Sequence, residues 1–147
     1  MIATPATAGR AHAQTASVVV AGGSETSALG KSQLSNGAFE QAIIASIEKN
    51  KTFSRVIKGA GGDYRLAVTV VSMDQPSFGL SFTVKMEAAW SLKKADGTSV
   101  MQESIISEGT AAMADAFAGV ERLRLATEAA ARNNIAAGLT KIGALNF

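Results

Sequence analysis

The residues whose types and order most invite a chemical reading are Gly30-Lys31-Ser32, which follow an apolar run and a glycine pair and precede a helical pattern. A phosphate-binding P-loop has that order, but it also needs a glycine five positions before the second one, so that successive N–H groups curl around the anion. Glu25 stands there, its carboxylate would repel phosphate, and the nearest glycine is Gly23. The helical pattern begins near Ser35, too late to put Lys31 in its first turn. Val68 to Asp74 ends an apolar run in a carboxylate, as a magnesium-binding strand would, yet a hairpin turn accounts for Asp74 equally well. Nucleotide binding through Gly30-Lys31-Ser32 is kept only as an alternative.

Other candidates for chemistry are few. His12 is the single histidine, and it falls in an N-terminal stretch expected to be a mobile tail, where a general base has no fixed reach to its target. Glu103 and Glu108 alternate with apolar residues as a solvated strand face does, with no second ligand type nearby for a metal. Glu121, Arg122, Arg124 and Glu128 read as exposed helix pairs, each contributing a few tenths of a kcal/mol, roughly 0.2–0.5. Asn133-Asn134 reads as a surface pair, with a partner contact as the alternative. The expectation is therefore a protein with no catalytic residue, no cofactor and no metal, and not an enzyme.

Composition bounds the rest. A chain of 147 residues with 47% hydrophobic and 18% charged residues is long enough for one core and too apolar for disorder. No apolar run approaches the length of a membrane-spanning helix. Fourteen basic and twelve acidic residues leave a net charge of +2, and the basic ones are scattered, which argues against nucleic acid as a partner. With no cysteine there is no disulfide, thiolate nucleophile or lipid-anchoring thiol in this sequence. Ala11-His12-Ala13 before Gln14 has the small-x-small pattern that signal peptidase accepts, so residues 1–15 are expected to be a mobile tail or signal-peptide remnant and 16–147 a single domain.

The elements follow from periodicity. Ser17 to Ala21 reads as a buried strand. Ser35 is placed to cap a helix, with Leu34 and Phe39 as a hydrophobic staple; Phe39, Ala42, Ile43, Ser46 and Ile47 share its apolar face, and it ends near Asn50. Thr52 to Ile57 and Tyr64 to Met73 read as two further strands. From Phe78 to Leu92 the even positions are apolar and the odd ones mostly polar, which describes one long strand of about 50 Å with a dry and a wet face. For Tyr64, Leu66, Val68 and Val70 to share that dry face, the connection after Asp74 must hold an odd number of residues or a bulge near Gly79.

Asp96-Gly97 predicts a two-residue type I′ hairpin. Counting outward from it puts Leu92 opposite Met101, Ala88 opposite Ile105, Met86 opposite Ser107 and Trp90 opposite Glu103. The last pairing sets an indole against a carboxylate, and so predicts that the far end of the hairpin outruns the core. A final helix is expected over 120–143, with stripes through Leu125, Ala129, Arg132, Ala136, Leu139 and Ile142 or through Ala131, Ile135, Gly138 and Ile142, the small residues of the second allowing close approach to a sheet. The predicted architecture is α+β, in the order β-α-β-β-β-β-α, mainly antiparallel, with both helices on one face of the sheet and the other face open to water.

Phe53-Ser54-Arg55-Val56 followed by Asp63-Tyr64-Arg65-Leu66, the stretch Leu92-Lys93-Lys94-Ala95-Asp96-Gly97-Thr98 and the segment Ala126 to Ile135 together resemble small bacterial envelope lipoproteins. The similar families are the penicillin-binding-protein activator lipoproteins, the ABC-transport auxiliary lipoproteins and the periplasmic domain of the curli secretion subunit. Thr and Gly stand in reversed order in the turn, and the anchoring cysteine is missing. The resemblance implies a non-enzymatic periplasmic scaffold or adaptor that binds envelope proteins or a second copy of itself. The expected contact surface is the projecting hairpin around Trp90, Leu92, Met101 and Glu103, with Trp90 as ordinary core the alternative. The rival class is a cone-shaped α+β ligand binder or enzyme, which needs inward polar groups that the long strand does not supply.

Overall fold

The computed structural model describes residues 12–22, 35–59, 61–75, 81–115 and 118–145. Gly30-Lys31-Ser32, Leu34 and Gly79 lie outside them. Seven elements follow in order: β1 (His12–Ala21), α1 (Asn36–Asn50), β2 (Phe53–Val56), β3 (Tyr64–Asp74), β4 (Ser81–Lys94), β5 (Ser99–Ala112) and α2 (Gly119–Gly143). They form one five-stranded sheet in the order β2-β1-β3-β4-β5, with β1 parallel to both neighbours and β3-β4-β5 an antiparallel meander. The α+β class and element order match the sequence expectation.

α1 starts as its sequence dictates. Ser35 has extended backbone, and its hydroxyl accepts the Ala38 N–H at 3.1 Å, satisfying a donor that the helix cannot. Phe39, Ala42, Ile43, Ser46 and Ile47 are the buried residues, spaced to form one stripe on the sheet. The helix stops at Lys51, which takes a left-handed conformation and returns its N–H to Ile47.

Every even residue of β4 from Phe82 to Leu92 is buried, opposite the even set Leu66, Val68 and Val70 of β3. The parity that this requires is restored inside β3: Val70 pairs with Ala88 and Ser72 with Glu87, so Val71 is an extra, bulged residue, and beyond it Met73 faces Met86.

The β4–β5 register is also the expected one, including Trp90 opposite Glu103, but the turn that produces it differs. Asp96 does not have the positive φ that a type I′ turn demands; only Gly97 does, at 93°. Gly97 N donates to Lys94 O and Lys94 N to Thr98 O, so the loop has three residues, a type I turn closed by a left-handed glycine. The pairing shift between Leu92 and Lys93 absorbs the additional residue.

β1 is longer than expected. Residues 12–15, assigned from sequence to a mobile tail, belong to the strand. His12 is buried against Phe53, and its Nε2 lies 3.0 Å from the carbonyl of Ile142 near the end of α2.

Candidate interaction surfaces

Four residues were expected to form a projecting contact surface, and the fold corrects three of them. Trp90, Leu92 and Met101 are interior, with Trp90 at 0% exposure, so they present no apolar patch to a partner. The reason lies in α2. Arg122, Ala126, Ala130, Asn134 and Gly138 recur every fourth residue and run along its sheet-facing side. At Gly138 the helix has no side chain, and the indole of Trp90 fills that space so closely that a methyl group there would sit 2.6 Å from its ring carbons. At Gly109 of β5 the two backbones meet: a methyl group would fall 2.2 Å from Ala130 N and 2.4 Å from Ala126 O.

Asn134, expected on the surface, is fully buried in this seam. Its oxygen accepts the Trp90 indole N–H at 2.7 Å, and its amide donates to Ile105 O at 3.0 Å and Ser107 Oγ at 3.1 Å. The Ser107 hydroxyl in turn donates to Ala130 O at 2.8 Å. Because the indole can only donate, the amide orientation is determined, and the network is satisfied within itself. Glu103 escapes the conflict with Trp90 because β5 is an edge strand: its carboxylate is exposed and lies 3.8 Å from Lys141 Nζ.

The charged residues of α2 divide. Arg124 bridges Glu121 and Glu128 on the outside, and its guanidinium holds the Glu121 carboxyl below the usual range. Arg122, grouped with them on sequence grounds, is buried instead and lies over the Phe82 ring at 5.0 Å. Its signal was the four-residue spacing to Ala126 and Ala130, which the long charged side chain obscured. Among the described residues, no group of His, Asp and Glu is arranged to hold a metal.

Two surfaces remain accessible. A shallow groove at the hairpin tip is lined by Gln14, Asp63, Tyr64, Lys94, Ala95 and Asp96. Asp63 organises its floor, accepting the N–H and hydroxyl of Thr15 at 3.0 and 3.2 Å while its backbone carbonyl accepts Ala95 N. The Thr98 N–H and hydroxyl hold the Asp96 carboxyl below its ordinary range. The second surface is the sheet face away from the helices. Its side chains are small or polar along Ala67, Thr69, Ala89, Ser91 and Ser104, with Val19 58% exposed beside Ala67 and Ile106 59% exposed beside Glu87, whose carboxylate accepts the Ser104 hydroxyl at 2.9 Å. Val71, at the bulge, is 55% exposed. No described helix is long and apolar enough to cross a membrane.

No family model matches this sequence, and no curated protein matches it significantly. Solved structures do match the fold. A protein of family DUF330 from Xanthomonas campestris superposes with a TM-score of 0.69 at 14% identity, covering 97% of this chain and 90% of that one. A dodecamer of PelC from Paraburkholderia phytofirmans gives 0.59 at 18% identity, with 95% of each chain covered. A putative lipoprotein from Caulobacter crescentus gives 0.58 at 16%, with 87% of each covered. At these identities the likeness is one of fold: the chain shares its architecture with these bacterial proteins, a putative lipoprotein among them.

Proposed function

We propose that this chain is a non-catalytic protein-interaction module of the bacterial cell envelope, a periplasmic scaffold or adaptor, and that its contact surface is the helix-free face of the sheet. The observation that carries this reading is the asymmetry of that sheet. Both helices cover one face, while the other carries small side chains at Ala67, Thr69, Ala89 and Ser91, with Val19 more than half exposed beside Ala67 and Ile106 more than half exposed beside Glu87. Single exposed apolar residues are ordinary, but two of them on one sheet face, with Ala, Ser and Thr side chains between, leave room for another sheet to lie against it. The occupant proposed is a second copy of this chain. The fold it shares with a PelC dodecamer and a putative lipoprotein supports both the self-association and the envelope setting.

The test is sedimentation velocity across a wide concentration range, comparing the wild-type chain with Ile106→Lys, alongside fractionation of source cells with an antibody to the chain. The reading expects concentration-dependent association that the substitution abolishes with the fold intact, and recovery of the chain with the envelope. A wild-type chain that stays monomeric at every concentration, or one recovered only with cytoplasmic markers, would overturn it.

A further inference from the structure

The helix-free face of the sheet carries its charges at its two ends. Directly opposed residues on neighbouring strands share a face, so the row Ser17, Arg65 and Lys93 sets two cations side by side at the hairpin end. Both are exposed, and among the described residues neither forms a salt bridge. Like charges directly opposite one another are destabilising. The other charges at this end do not relieve them: Arg55 adds a third cation opposite Thr15, and the Asp63 carboxylate is engaged by the Thr15 N–H and hydroxyl.

The opposite end has the opposite sign. The row Asp74, Lys85 and Glu108 sets one cation between two exposed carboxylates, and Glu87 stands on the same face two positions further along β4. Between the ends lie the uncharged Ala67, Thr69, Ala89, Ser91 and Ser104. From Glu87 to Lys93 the strand covers roughly 20 Å, about twice the screening length of 8–10 Å at ordinary ionic strength. One end therefore does little to neutralise the other within a single chain.

We propose that the second copy lies on this face with its strands reversed, so that the Arg65 and Lys93 end of each chain stands over the Asp74, Glu87 and Glu108 end of the other. This orientation rests on the reading that the helix-free face is the contact surface, and names how the second copy sits on it. Packed sheets lie about 10 Å apart, within reach of these long side chains. Aligned packing permits either strand direction on geometry, and charge chooses between them. With the strands running the same way, Arg65 and Lys93 would stand over their own counterparts, and so would the carboxylates. Reversal about a two-fold axis crossing the strands forms both favourable contacts at once.

The experiment combines sedimentation equilibrium of the full chain, which gives the dimer Kd, with pulsed EPR, which gives the orientation. Arg65→Glu with Lys93→Glu is expected to raise Kd roughly tenfold or more, and adding Glu87→Lys with Glu108→Lys in the same chain is expected to restore it. Restoration would also show that the first pair of changes had not unfolded the chain. The sequence has no cysteine, so Thr83→Cys carries a single spin label at the acidic end. The two labels of a dimer are expected more than about 35 Å apart, against about 10–15 Å for strands running the same way. A Kd indifferent to the first pair, a fourfold variant no tighter than the double one, or labels within about 15 Å would defeat the orientation and leave the face standing as a contact surface. A wild-type chain monomeric at every concentration would defeat both, and its binding to phosphatidylglycerol vesicles, lost with Arg65→Glu and Lys93→Glu, would then assign the basic end to an anionic membrane.

Discussion

The indole N–H of Trp90 and the side-chain oxygen of Asn134, 44 residues apart in sequence, meet at 2.7 Å with both residues fully buried. This bond fixes how α2 sits along the sheet, because the same amide also donates to Ile105 O and Ser107 Oγ on β5. Trp90→Phe keeps an aromatic ring but removes the N–H, stranding the Asn134 oxygen in a dry interior and vacating part of the space at Gly138, and is expected to cost at least about 1–3 kcal/mol. Trp90→Ala adds a cavity and is expected to cost roughly 3–5 kcal/mol. Urea unfolding of Trp90→Phe, Asn134→Leu and the double variant measures the coupling; additivity within error would show that the bond contributes nothing.

Two glycines should respond to alanine in opposite directions. At Gly109 the new methyl would meet α2 backbone at 2.2 Å, so the helix must lift from the sheet, at a cost of about 2–3 kcal/mol. At Gly37, inside the first turn of α1, nothing lies within 4 Å, and alanine should stabilise by roughly 0.4–1 kcal/mol. Denaturant midpoints of the two variants settle the contrast.

Removing the α1 cap with Ser35→Ala should cost about 1 kcal/mol, and Ser35→Asp should cost little, since either oxygen accepts the Ala38 N–H. Chemical denaturation separates the two. Equal losses in both variants would remove the capping bond from the account of this helix.

Asp96 supplies a pH dependence of known sign. Its folded pKa lies below its unfolded one because the Thr98 N–H and hydroxyl favour the carboxylate. Its contribution is therefore present above the unfolded value, near pH 4, and is lost as pH falls through the folded value. An NMR titration should place the Asp96 midpoint below that of an unstructured aspartate, and Thr98→Val should bring it part of the way back. A wild-type midpoint at the unstructured value would remove the hydroxyl and amide from the explanation of this turn.

The alternation of β4 and the α1 stripe were legible because large apolar side chains, Phe82, Val84, Met86, Trp90 and Leu92 in the one and Phe39, Ile43 and Ile47 in the other, recur at the strand and helix periods. So was the pairing of Leu92 with Met101 and Ala88 with Ile105, although Asp96-Gly97 suits more than one loop and the bulge at Leu92/Lys93 hid the difference. The seam of α2 was not legible. Its members are Arg122, two alanines, Asn134 and Gly138, and such residues look like a surface until the partner is known to be the backbone at Gly109 and the ring of Trp90. His12 was missed because the alanines around it give no apolar period, and the Phe53 ring and Ile142 carbonyl it meets are distant in sequence.

The meeting of His12 with the carbonyl of Ile142 joins places 130 residues apart. Terminal segments commonly unravel independently of one another. Here the clasp makes them share a fate: peeling the opening strand away strips a partner from the closing helix, and loosening that helix uncovers the imidazole. Amide exchange at the two extremities should accordingly rise and fall in concert, as a single local opening.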